Sequence, residues 1–118
     1  MKYDVLVVGG AVVGAALTLA LHKAGFKVAL IERGSLPKPF DATRTDPRVY
    51  ALAPSSIRFL QALGVWARIA AQRVSPYRSM EVWENDPQQA LRFNAAESGV
   101  SELVCIVESS VLLSEVWN

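Results

Sequence analysis

Residues Tyr3–Arg33 read YDVLVVGGAVVGAALTLALHKAGFKVALIER, and this stretch decides the fold. Val5–Val8 is a short, wholly apolar run, the pattern of a parallel strand buried on both faces. The chain turns at Gly9-Gly10-Ala11 and enters an Ala- and Leu-rich helical pattern from about Val13 to Ala24. Gly25 supplies a left-handed stop, and Lys27–Ile31 gives a second strand that runs into Glu32. A helix that starts straight after a glycine turn presents unpaired backbone N–H groups and the positive end of its dipole. That is the arrangement that seats the pyrophosphate of a dinucleotide. Glu32 follows Gly9 by 23 positions, near the roughly 20-residue spacing at which an acid meets the ribose.

The glycine pattern asks for glycine at positions 9, 11 and 14. Gly9 makes the tight turn, the middle position lets phosphate approach the backbone, and Gly14 lets the helix pack closely on the sheet. Here the middle position is Ala11, whose methyl narrows the approach, while Gly10 adds local freedom. Taken alone, the same residues could form an ordinary crossover with a glycine-rich turn, and Glu32 could be a solvated loop acid.

A chain of 118 residues is sized for one small domain, and 52% hydrophobic residues provide material for a core. A formal charge of +1 argues against nucleic acid as the main partner. The single cysteine, Cys105, precludes a disulfide framework within a monomer and fits a reducing compartment. It lies in the apolar run Leu103–Val107, where a buried structural thiol is the better reading than a nucleophile. His22 stands alone without a Cys/His cluster, so no metal site is legible. Val5–Leu21 carries no charge, but Asp4 before it and Gly9-Gly10 within it fit neither a cleaved signal nor a membrane anchor.

From Gly34 to Pro47 the chain is polar and proline-rich, the signature of a long loop, and such loops are often functional. Asp46–Leu52 reads as a short extended segment. Pro54 suits the first turn of a helix whose buried stripe is Ile57, Leu60 and Leu63 and whose stop is Gly64. A further helical piece spans Val65 to about Gln72, with Trp66 and Ile69 inward. Residues 79–94 look like a hairpin around Asn85-Asp86-Pro87, with Met80, Val82 and the Trp83 side packing inward. Leu103–Val107 reads as a third strand, and Ser109–Trp117 as a helix capped by Ser109 or Ser110. The expected fold is therefore α/β: a Rossmann-like β-α-β unit at 3–33, loop 34–47, helices at about 54–72, a small hairpin and strand at about 79–107, and a helix at about 109–117. Too few parallel strands are present for a full doubly wound sheet, so the chain reads as the N-terminal portion of a larger protein.

Six blocks carry a family likeness: VVGGAVVGAAL, VALIER, DPRVYAL, SIRFLQALGVW, YRSMEVWEND and CIVESSVL. Together they resemble the flavin-dependent aromatic hydroxylases of ubiquinone biosynthesis, within the class that includes para-hydroxybenzoate hydroxylase. The resemblance implies FAD as cofactor, with NAD(P)H as reductant and O2 transferring one oxygen atom to the ring of a polyprenylated phenol substrate. It implies that Glu32 binds the adenosine ribose, with Arg33 beside it. Gly9, Gly10, Ala11, Gly14 and the backbone at Val12 and Val13 would face the pyrophosphate. Arg48 matches an arginine lying against the cofactor, and its plain alternative is a surface ion pair with Asp46. Ser109 stands where related sequences often carry Asn or Gln beside the flavin. No catalytic residue is assigned, and the isolated chain is expected to be inactive. A cytoplasmic location peripheral to the inner membrane and a homo-oligomer covering an open sheet edge are further expectations. Two other readings stay open: a fragment of an NAD-dependent Rossmann dehydrogenase, and a non-catalytic nucleotide-binding or interaction module.

Overall fold

The apolar runs flanking the glycine turn fold as their pattern requires. In a computed structural model that describes residues 1–118, β1 (Val5–Val8) and β2 (Val28–Ile31) pair in parallel, Val5 opposite Val28 and Val8 opposite Ile31. Between them runs α1 (Val12–Lys23), whose Ala15 and Ala16 are buried and let the helix lie close to the sheet. Gly25, with φ +95°, closes the helix, and its N–H donates to the His22 carbonyl. One expectation is corrected here. β1 is covered on one face only: Val7 is buried, while Leu6 and Val8 are 61% and 80% exposed. Two strands and one helix layer leave the far face of the pair open.

The remaining elements follow in order: β3 (Val49–Leu52), α2 (Pro54–Ala62), α3 (Trp66–Ala70), β4 (Val74–Tyr77), β5 (Ser79–Val82), β6 (Leu91–Asn94), β7 (Val104–Glu108) and α4 (Ser109–Trp117). β3, β7 and β4 form an antiparallel sheet with β7 in the centre, separate from the parallel pair. β4 falls within residues 73–78, which the sequence pattern assigns to no element, and it carries Pro76. Here it lies on an edge strand, the place in a sheet where a missing N–H is tolerated.

A single core joins the two sheets. Ile57, Leu60 and Leu63 from the α2 region, Ile69 of α3, Cys105 and Val107 of β7, and Val111, Leu112 and Val116 of α4 pack together with Ala15 and Ala16. The Cys105 thiol is buried and burial pushes its pKa up, as suits a structural residue rather than a nucleophile. Glu115, on the buried side of α4, is paired with Arg68 at 2.9 Å. Leu112 is 1% exposed, so Leu112→Ala is expected to lower unfolding stability by about 3 kcal/mol, read as a shifted urea midpoint at unchanged slope. A shift below about 1 kcal/mol would show that the site collapses around the cavity.

Two further expectations are corrected. α4 is not capped by its serines: Glu108 is the N-cap residue, without a side-chain cap bond of its own. Asp46 instead reaches across from the loop and accepts from the Ser110 N–H at 3.1 Å. The hairpin β5–β6 forms in the register Met80–Phe93 and Val82–Leu91, but its apolar residues do not pack inward. Met80, Val82, Trp83, Leu91 and Phe93 are all exposed, and Glu81 pairs with Arg92 at 2.9 Å. The Cα radius of gyration, 17.2 Å, exceeds the roughly 13 Å expected of a compact chain of this length, in line with a hairpin standing clear of the core.

Candidate cofactor site

Each glycine of the turn has its own steric reason. Gly9 has φ +102°, which side-chain-bearing residues rarely adopt, and its N–H donates to the Ile31 carbonyl at 2.8 Å, tying the turn to β2. A Cβ on Gly14 would lie 1.8 Å from the Gly9 carbonyl oxygen, so α1 can start here only if position 14 has no side chain. Gly10 faces the far end of the chain. A Cβ there would meet the Trp117 ring at 2.6 Å, and the Trp117 indole Nε1–H donates to the Gly10 carbonyl at 2.9 Å.

Ala11, the departure from the glycine pattern, sits at φ −70° and ψ −176°. That is ordinary extended backbone, so alanine imposes no strain at the middle position. Ala11 is the N-cap of α1 and has no side-chain oxygen to cap it. The N–H groups of Ala11, Val12, Val13 and Gly14 make no hydrogen bond within the chain. Four free donors at the positive end of a 12-residue helix suit an anionic ligand.

Glu32 is fixed beside this turn. Its carboxylate accepts from the Gly10 N–H at 2.6 Å and from the Gly34 N–H at 2.9 Å. The Gly34 N–H, then the Gly10 N–H, hold its pKa below the ordinary glutamate value, so the group is an anion throughout the neutral range. Each carboxylate oxygen retains a lone pair after these bonds, and ribose hydroxyls are donors of the kind it can accept.

A cleft of about 1150 Å³ opens from the start of α1, runs along the loop around residues 37–50, and reaches the start of α4. Its lining includes Ala11 and Val12 from the start of α1, Arg48 and Tyr50, and Ser109 and Ser110 from the start of α4. The cations Lys38, Arg44 and Arg48 line it together with the acids Asp41 and Asp46, which are already engaged. Asp41 accepts from the Thr43 hydroxyl and N–H. Asp46 accepts from the N–H groups of Arg48 and Ser110, and the Arg48 N–H in particular holds its pKa down. The Arg48 guanidinium approaches Asp46 only at 3.4 Å and its side chain is 83% exposed. It keeps donors for a ligand, and the ion pair with Asp46 is a weak one.

The structure brings Ala11, Val12, Arg48 and Ser109 to one cleft; Gly9, Gly10, Gly14 and Glu32 do not line it and instead shape the turn that leads into α1. Val13 is 81% exposed and contributes its free N–H. Arg33 is exposed and does not line the cleft; its N–H and charge add to the groups that hold the Glu32 pKa down. The sequence reading missed Asp46 as the cap of α4, Trp117 as a brace on Gly10, and the pair Arg73–Glu108 behind the loop. Asp-Pro in a polar loop carries a weak turn signal. The other two carry none, since their partners are 107 and 35 positions away. A cleft of this size beside free helix N–H groups and an anchored acid, lined by a guanidinium that is only weakly paired, fits a dinucleotide such as FAD.

Comparison with known proteins agrees. The family described as FAD binding domain matches residues 2–112. The chain is 39% identical over 116 residues to 3-demethoxyubiquinol 3-hydroxylase of Escherichia coli, covering 98% of this chain and 29% of that protein. It is 33% identical over 117 residues to the mitochondrial ubiquinone biosynthesis monooxygenase COQ6 of Xenopus tropicalis, covering 94% and 25%. The chain thus spans less than a third of the length of these relatives. In fold it is similar to PqsL of Pseudomonas aeruginosa, with a TM-score of 0.71 at 23% identity over 97% of this chain and 29% of that one. It is also similar to p-nitrophenol 4-monooxygenase PnpA of Pseudomonas putida, with a TM-score of 0.68 at 21% identity over 95% and 27%.

Proposed function

The chain belongs to the FAD binding domain family, and on that premise we propose that it is the cofactor-binding part of a flavin-dependent monooxygenase. The reaction would hydroxylate an aromatic ring of a ubiquinone precursor, a polyprenylated phenol or benzoquinol, with NAD(P)H and O2. The observation that carries this reading is the single cleft lined by Ala11 and Val12, whose N–H groups are free, together with Arg48 and Ser109. The likeness to ring hydroxylases of ubiquinone biosynthesis selects the substrate class.

In this reading the residues divide the work along the ligand. Glu32 accepts from the adenosine ribose hydroxyls, and the N–H groups of Ala11 to Gly14 take the pyrophosphate. Arg48 offers its guanidinium further along the cleft, where a fixed positive charge favours phosphate or an anionic ring. Ser109 and Ser110 line the same cleft, their backbone held by the Arg48 carbonyl and the Asp46 carboxylate. Bound FAD supplies the redox chemistry that activates O2. No helix is long and apolar enough to cross a membrane. We place the protein in the cytoplasm, with peripheral contact to the inner membrane needed to reach a lipid-tailed substrate.

Titrating FAD into the purified chain, followed by flavin fluorescence, tests the cofactor site. Micromolar binding is expected, with NAD at least about tenfold weaker. Absence of FAD binding at high micromolar concentration would sink it. For the ring-hydroxylase reading, a hybrid 3-demethoxyubiquinol 3-hydroxylase in which this chain replaces the matching 29% is expected to restore ubiquinone in Escherichia coli cells lacking that enzyme. Continued accumulation of the unhydroxylated precursor would count against that substrate class.

A further inference from the structure

Arg73, which does not line the cleft, is committed to the loop that carries Arg48. Its Nε donates to Glu108 Oε2 at 2.8 Å and its Nη2 to Glu108 Oε1 at 3.0 Å. Nη1 donates to the Ala42 carbonyl at 2.8 Å, and Nη2 also donates to the Arg44 carbonyl. The guanidinium carbon lies 5.1 Å from the centroid of the Phe40 ring. Four of the five donors of a rigid fork are thus used, two on a carboxylate and two on loop carbonyls. An ammonium could not hold all four at once.

Glu108 passes this hold onward. Besides Arg73, its Oε1 accepts from the Asp46 N–H at 2.8 Å. Asp46 in turn accepts from the N–H groups of Arg48 and Ser110, while the Ser109 N–H donates to the Arg48 carbonyl at 2.8 Å. The chain of bonds runs Arg73, Glu108, Asp46, Arg48, and every link after the first is made to backbone, so it fixes where the Arg48 main chain lies. Glu108 is also the N-cap residue of α4 and the last residue of the central strand β7, a rigid base for the whole array.

We propose that Arg73, acting through Glu108, is a positioning residue that fixes the Arg48 segment against the start of α4 so that Arg48 is pre-set for the cofactor. The inference rests on the FAD reading above. Pre-ordering the loop removes an entropic cost that FAD would otherwise meet on binding. Arg73→Gln keeps most of the side-chain length and removes the charge and the fork.

The test is a double-mutant cycle on FAD affinity, with AMP, which carries only the adenosine end, as a second ligand. Arg73→Gln is expected to weaken FAD at least about tenfold and AMP less than about twofold, and to add nothing in an Arg48→Ala background. Arg73→Lys is expected to recover only part of the loss. Unchanged FAD affinity, an equal loss in both backgrounds, or a parallel loss of FAD and AMP would each overturn the proposal. Should Arg73→Gln fail to fold, Arg73→Lys carries the same comparison. Tryptic cleavage after Arg44 and Arg48 without ligand provides a readout independent of FAD. Cleavage is expected at least about tenfold faster in the variant, and equal rates overturn the proposal. A wild-type chain that binds no FAD but shows this difference would sink the cofactor reading and leave the hold of Arg73 on the loop standing.

Discussion

Gly14→Ala is expected to abolish FAD binding and to destabilise the chain by about 3 kcal/mol or more. The added methyl would sit 1.8 Å from the Gly9 carbonyl oxygen and 3.0 Å from its carbonyl carbon, both main-chain atoms. Neither side can yield cheaply. Gly9 is bonded to Ile31 through its N–H, and α1 is seated by the buried Ala15 and Ala16 next to Gly14. Relief requires lifting α1 off the sheet or reshaping the turn, and either moves the four free N–H groups. Two neighbours serve as controls. Gly9→Ala meets no atom within 4 Å but must hold φ +102°, a conformational cost of about 1–2 kcal/mol. Ala11→Gly relieves no strain, because φ at position 11 is already −70°, and its effect on stability is expected within about 0.5 kcal/mol. Urea unfolding and FAD titration on the three variants check the ranking. A Gly14→Ala chain with wild-type midpoint and affinity would show the turn adapting in a way these contacts forbid.

Glu32→Ala is expected to weaken FAD roughly tenfold to a hundredfold. It removes the acceptor proposed for the ribose and, at the same time, the two bonds that hold Gly10 and Gly34. Glu32→Gln separates these roles, since it keeps an oxygen acceptor and the side-chain length while losing the charge; an intermediate loss is expected. The pH dependence has a definite sign. The Gly34 and Gly10 N–H groups lower the pKa of Glu32 in the folded chain. Its contribution is therefore complete above the ordinary glutamate value and is lost as pH falls through the depressed one. FAD affinity should be flat from pH 8 down to the ordinary glutamate range and decline only below it. Glu108 and Asp46 are depressed too, by the Arg73 guanidinium and the Arg48 N–H respectively. Part of the acid limb should thus survive in Glu32→Ala. Wild-type FAD affinity in Glu32→Ala would remove this residue from the site.

Local pattern made the glycine turn and the acid of the candidate site legible. A glycine that must take positive φ, a glycine that must lack Cβ and an acid after the second strand are all encoded within about thirty residues, because strand, turn and helix follow from period and backbone freedom. The same local logic placed α2, the hairpin and the buried thiol. It failed where a residue's partner comes from elsewhere. The strand holding Pro76 goes unassigned until it is found on a sheet edge, and Ser109 reads as a cap until Asp46 is found in its place. Met80 and Phe93 alternate like a packed hairpin face, yet no layer covers them.

The sequence by itself determined the β-α-β unit, its glycine turn and the acid beside it, since those depend on steric and hydrogen-bonding rules among neighbours in the chain. Only the tertiary structure decided what completes the site. Trp117 braces Gly10 from 107 positions away. Arg73, Glu108 and Asp46 converge on the Arg48 segment from three separate parts of the chain. Such contacts are set by which surfaces the core brings together, and side-chain bonds across that distance leave no period, spacing or composition for the sequence to display.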